Sequence, residues 1–188
     1  MYQDVTYRIE GIAPLMMHSS QLADPLNDYT KALKKLSANR KKTEETYEEM
    51  AAIEWEGSLY LNEKQQPIIP GICIESCFIT AARTQKLGKV AASAIISDGE
   101  WVLEYDGPKT LDGLRKDKRF WDVRSVRVQQ SRIMRTRPIF PVWALTFTLS
   151  FLPDQLNRDQ ITEILAIGGQ RCGLGDYRPR FGRFDLVI

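Results

Sequence analysis

The chain has 188 residues, 43% of them hydrophobic and 27% charged, which is enough apolar material for one sizeable core and suggests a single domain, 1–188, carrying insertions. No apolar run approaches the roughly 20 residues that cross a bilayer, which excludes a spanning helix, and a net charge of +2 does not by itself imply a polyanionic partner. Cys73, Cys77 and Cys172 are an odd set without CxxC spacing, which argues against a disulfide framework and against a zinc site and fits a reducing compartment. Cys73 and Cys77 could share a helical face and seed a ligand pair with Cys172 or His18, but small buried cysteines are the commoner use of such positions, so no metal and no cofactor is expected. Residues 1–10 carry acids where a leader would have a basic and then an apolar region, so the expected setting is cytoplasmic, away from membranes.

Along the chain, Val5, Tyr7 and Ile9 alternate with Thr6, Arg8 and Glu10, the period of a half-buried strand over 5–12. Gly11 and Pro14 interrupt it, and Asp24-Pro25 marks a turn before two helical runs, 26–37 and 43–56. Thr43 reads as an N-cap with Thr46 three residues on, Glu44 and Glu45 suit the helix dipole, and Gly57 ends the run. Tyr47, Met50, Ala51 and Trp55 would form one stripe. Short strand pieces at 59–61 and 68–69 precede Pro70-Gly71 and a helix over 72–87 that buries Ile74, Phe78 and Ala81 or Ala82. Further short strands are expected at 93–96 and 101–105.

The clearest pattern is a pair of long strands, 125–137 and 142–151, with Trp143, Leu145, Phe147, Leu149 and Phe151 on one face of the second and Val142, Ala144, Thr146, Thr148 and Ser150 on the other. Asp154 or Asn157 can cap a helix running to Ile167, and 180–187 makes a last strand. Without insertions at about 19–66 and 88–123, the order is βαββαβ: an α+β, ferredoxin-like core with an antiparallel sheet.

The charge is uneven. From Arg115 to Pro138 there are nine bases against Asp117 and Asp122, whereas acids gather at 43–56. Within 124–137 the bases are Arg124, Arg127, Arg132, Arg135 and Arg137, all arginine rather than lysine, which favours forked or stacked contacts. On one strand Arg127, Gln129, Ser131, Arg135 and Arg137 would line one side as donors toward phosphate; the plainer reading is a solvated edge strand kept from aggregating by charge. The second candidate runs from Gly168 to Phe184, where Gly168, Gly169, Gly173, Gly175 and Gly182 interleave with Arg171, Arg178, Arg180 and Arg183 and with Tyr177, Phe181 and Phe184. Glycines allow close backbone approach and aromatics can stack on unpaired bases; the plainer reading is a structural turn with one or more aromatics in the core.

These two segments and the Ile69-Pro70-Gly71-Ile72-Cys73-Ile74-Glu75 stretch resemble the RAMP superfamily of CRISPR proteins. The strand ending at Gly11 with Pro14-Leu15 after it is similar to that family's opening strand, Pro70-Gly71 to its helix start, and 168–182 to its C-terminal glycine-rich loop; phage-encoded relatives are similar too. The resemblance implies a ferredoxin-like core, RNA binding, and backbone subunits that assemble side by side along a guide strand with themselves or with CRISPR-type partners. The stretch departs from the pattern at Ile72, Cys73 and Glu75, where a small hydroxyl and a base are usual, and in its longer Arg-rich tail.

The expected function is therefore non-catalytic binding of single-stranded RNA or DNA by Arg124, Arg127, Arg132, Arg135, Arg137, Arg171, Tyr177, Arg178, Arg180, Phe181 and Arg183. One alternative is a protein-interaction module, such as a phage mimic or inhibitor of a CRISPR complex, working through the helical hairpin at 26–56. Another is a metal-independent endoribonuclease, since some RAMP members use a histidine near the first strand. His18 is the only histidine here, with Ser19, Ser20, Tyr29 and Asp24 or Asp28 near it in sequence. No Ser/His/Asp order, P-loop or HExxH motif is present.

Overall fold

The computed structural model describes residues 1–128 and 130–187. Along them run β1 (Gln3–Gly11), β2 (Leu15–Met16), α1 (Asp28–Ser37), α2 (Glu44–Gly57), β3 (Ile68–Pro70), α3 (Gly71–Thr84), α4 (Gly88–Ala94), β4 (Ile95–Ile96), β5 (Glu100–Val102), β6 (Glu104–Tyr105), α5 (Leu111–Lys116), β7 (Trp121–Val128), β8 (Ser131–Phe140), β9 (Trp143–Phe151), α6 (Arg158–Ile167) and β10 (Phe184–Val187). They divide into two compact units. One comprises Met1–Met16, Leu61–Asp106 and Phe140–Ile188; the other comprises Met17–Tyr60 and Gly107–Ile139.

The first unit is built on an antiparallel sheet in the order β10-β1-β9-β4, with β6 also pairing β9. Its register sets Val5 opposite Leu149, Tyr7 opposite Phe147 and Ile9 opposite Leu145. Taking β1, α3, β4, β9, α6 and β10 as successive elements, the last strand lies beside the first and the third beside the second. That is the antiparallel ferredoxin-like arrangement. The alternation read in β9 holds, with Trp143, Leu145, Phe147, Leu149 and Phe151 all buried. Each large apolar side chain so buried contributes roughly 1.5–3 kcal/mol. Against this face lie α3, burying Ile74, Cys77, Phe78, Ala81 and Ala82, and α6, burying Ile161, Ile164 and Leu165. The Tyr7 hydroxyl sits 2.9 Å from Thr162 Oγ1.

The opposite face is laced with polar pairs rather than bare. Arg8 Nη1 donates to Glu104 Oε1 at 2.6 Å, Thr6 and Thr148 hydroxyls meet at 3.0 Å, and Ser150 Oγ donates to Asp4 at 2.6 Å. Two glycines permit close packing in this unit. A Cβ on Gly11 would meet the Trp143 indole at 2.1 Å, and one on Gly71 would meet the Ser97 carbonyl oxygen at 1.6 Å. Glu75, where the family resemblance would have a base, accepts from the Ser97 backbone N–H at 2.7 Å and so fixes the start of α3 to the strand after it.

Several sequence expectations shift. The helix expected over 72–87 ends at Thr84, with Lys86 at φ +63°, before α4 begins. The piece expected at 59–61 makes only an isolated bridge, Leu61 to Pro67. The strand filling the second place of the core is β4, two residues long, and not 125–137. That longer segment is no single strand: the chain reverses between Val128 and Ser131, so 121–128 and 131–138 pair as a hairpin. Between the two strands in sequence stand Gln129 and Gln130, with none of the Gly, Asn, Asp or Pro that announces a turn.

In the second unit α1 and α2 form the expected helical pair. Thr43 caps α2 in a capping box with Thr46, and Asn27 caps α1. Trp55 is fully buried, donates from its indole N–H to the Phe120 carbonyl at 2.8 Å, and stacks on Trp121 with centroids 5.3 Å apart at 9°. Tyr47, placed in the same stripe from sequence, is 59% exposed, the buried residues of α2 being confined to its C-terminal end at Glu54, Trp55 and Gly57.

Candidate nucleic-acid interface

The hairpin decides what its arginines can do. Strand alternation and the cross-strand register put Trp121, Val123, Ser125 and Arg127 on one face with Arg132, Met134, Thr136 and Pro138. Asp122, Arg124 and Val126 share the other face with Ile133, Arg135 and Arg137. The single row expected from Arg127, Arg135 and Arg137 is therefore not formed, since Arg127 faces away from the other two; Gln129 lies outside the described residues, as does the Ser131 side chain.

On the second face the guanidiniums have structural work. Arg124 is held in a two-point ion pair by Asp122 of its own strand. Arg135 Nη1 donates to Glu54 Oε1 at 2.6 Å, while the other oxygen of that buried carboxylate accepts from the Thr136 N–H at 2.8 Å. Arg137 is half-buried. On the first face Arg127 and Arg132 are exposed and stand in direct register, and Val123 and Met134 beside them are 56% and 61% exposed. The stretch Gly107–Ile139 as a whole carries ten bases against three acids, a formal +7 within a chain of +2.

The glycine-rich segment belongs to the first unit. Gly173, Gly175 and Gly182 have φ of +76°, +74° and +72°. A Cβ on Gly175 would meet the Met16 carbonyl oxygen at 2.2 Å, and one on Gly182 the Leu174 oxygen at 1.8 Å. Gly182 N–H donates to Pro14 at 2.8 Å, Asp176 N–H to Met16 at 2.8 Å, and Ile12 N–H to Arg183 at 2.9 Å. The close approach that these glycines permit is thus to the chain's own backbone, after β1 for Gly175 and within the segment itself for Gly173 and Gly182. Phe181 and Phe184 are buried, Phe184 edge-on to Trp143, while Tyr177 is 37% exposed with its ring 6.4 Å from that of Phe181. Arg171, Arg178 and Arg180 are exposed and Arg183 is half-buried.

His18 is exposed, with Nδ1 3.3 Å from Ser58 Oγ. The groups placed near it in sequence are turned to other tasks. Ser19 Oγ accepts from Gln21 N–H, Asp24 from Leu26 N–H, and Tyr29 donates to Glu56 at 3.0 Å. Burial raises the Cys77 thiol to about 12, with Cys172 adding to the effect and Arg178 opposing it. Among the described residues no group of three or more His, Cys, Asp or Glu is placed to hold a metal ion, and no helix is long and apolar enough to cross a membrane.

No protein-family model matches the chain. No curated protein matches it either. Among solved structures, the chain is similar to Cmr6 from Pyrococcus furiosus at 10% identity and a TM-score of 0.39, over 100% of this chain and 99% of that one.

Proposed function

We propose that this chain binds single-stranded RNA or DNA in the cytoplasm without cutting it, gripping phosphates at the tip of the β7–β8 hairpin. The observation that carries the reading is the Arg127–Arg132 pair, two exposed guanidiniums in cross-strand register. Guanidinium forks match phosphate geometry, and the +7 stretch around them supplies the field that draws a strand in. The sequence resemblance to RNA-binding RAMP proteins points the same way. By that resemblance, copies lying side by side along one strand, alone or with CRISPR-type subunits, would bind cooperatively. The engagement of Ser19, Asp24 and Tyr29 elsewhere favours binding over cleavage at His18.

The test is affinity for labelled single-stranded RNA, single-stranded DNA and duplex DNA across a salt series, with the strands checked for cuts. Replacing Arg127 and Arg132 together by Ala should weaken single-strand binding for every sequence and flatten the slope of log K against log salt by about 1.4, at roughly 0.7 per phosphate contact. An unchanged affinity and slope would remove the hairpin tip from the site. Absence of binding at low salt would overturn the reading and leave the protein-interaction module. Metal-independent cuts that vanish in His18→Ala would promote the nuclease.

A further inference from the structure

Beside the hairpin root lies a groove of about 1010 Å³ lined by Glu48, Ala51 and Ala52 of α2, Arg115 and Lys116 of α5, and Trp121 of β7, among others. Trp121 supplies its aromatic wall. One ring face stacks on the buried Trp55, and its indole N–H donates to the Arg115 carbonyl at 3.0 Å, so the ring is fixed on two sides. Over the ring also lies Lys118, whose Nζ sits 3.6 Å from the ring centroid. Lys118 is exposed, and a cation over an aromatic ring in water holds weakly.

We infer that the outer face of Trp121 is a base-stacking subsite, where an unpaired nucleobase takes the place of the Lys118 ammonium and the displaced ammonium turns to a phosphate of the same strand. This rests on the reading of the chain as a single-strand binder. Every base has a π-face, and a ring already held by Trp55 loses little freedom on receiving one. Charge agrees with that occupant: Arg115, Lys116 and Lys118 line the groove against Glu48 and Asp112. Continuity agrees as well, because Trp121 shares its hairpin face with exposed Val123, Met134, Arg127 and Arg132. From Trp121 to Arg127 that face runs about 20 Å at roughly 3.3 Å per residue, a track with phosphate donors at one end and an aromatic platform at the other.

The test follows tryptophan emission and affinity in the full chain with a short single-stranded oligonucleotide and the same strand made abasic. The base-bearing strand should quench emission and bind about tenfold tighter or more than the abasic one. Trp121→Leu should abolish that preference, whereas Trp121→Phe should keep most of it and lose the quenching. Equal binding of both strands by the native chain, or a preference that survives in Trp121→Leu, would overturn the subsite while the salt slope at Arg127 and Arg132 still judges the phosphate grip on its own. The comparison in the native chain decides even where Trp121→Leu fails to fold. Binding of neither strand would overturn both ideas together.

Discussion

Glu54 shows how one carboxylate sorts arginines into kinds. It is 8% exposed and uses its two oxygens on the Arg135 guanidinium and the Thr136 N–H, so it ties α2 to β8. Glu54→Ala leaves the buried Thr136 N–H without its acceptor and should cost about 1–3 kcal/mol in chemical denaturation. By the same geometry Arg135→Ala should lower stability while leaving the salt slope of strand binding near native, the reverse of the effect expected at Arg132. A second residue-scale expectation concerns Tyr29, whose hydroxyl is raised from 10.0 to about 12 by burial and by its hydrogen bond to Glu56. The folded state holds this proton more tightly than the unfolded one. The contribution is therefore full below pH 10 and is lost as pH rises toward 12. Stability measured over that window should fall more steeply in the native chain than in Tyr29→Phe; parallel profiles would show the burial to be unimportant.

At the scale of elements, the C-terminal glycines are backbone joints. Gly182 combines a positive φ with a neighbour 1.8 Å from where a Cβ would stand, so Gly182→Ala should destabilise the chain by on the order of 2 kcal/mol or more, read as a lowered melting temperature. How legible each element was depends on what kind of signal it carries. β9 was plain because five large apolar residues alternate with small polar ones, and α2 was plain because Thr43 and Thr46 announce its start. β4 was read as a short strand piece within 93–96 but placed in an insertion, because a two-residue strand has no period that would mark it as a core strand. The hairpin was read as one strand because alternation continues on both sides of Gln129-Gln130, and the missed reversal turned Arg127 to the wrong face. The glycine-rich segment was seen, but composition alone does not distinguish approach to a ligand from approach to the chain itself. Trp121 escaped notice although it follows Lys118-Arg119-Phe120, because nothing in the sequence separates it from a core aromatic; only its place on the groove wall does.

Over the whole molecule the near-neutral total conceals a partition: the stretch 107–139 is +7 and the remaining residues together are −5. That basic stretch was legible from sequence, since charge needs no fold to be counted. The assignment of strands to the core was not, because the chain passes from one unit to the other at 16/17, 60/61, 106/107 and 139/140, leaving each unit discontinuous in sequence. The register of β1 carries this further. Gln3 pairs with Phe151 and Gly11 with Phe184, so the central strand is made well before either strand that flanks it. On a ribosome adding roughly 5–20 residues per second, β1 would wait about 7–30 s before residue 151 is even synthesised. Val5, Tyr7 and Ile9 spend that interval without the strands that later flank them. Until β9 and β10 emerge, β1 is exposed to wrong pairing and to chaperone capture, and the sheet closes only once β10 follows.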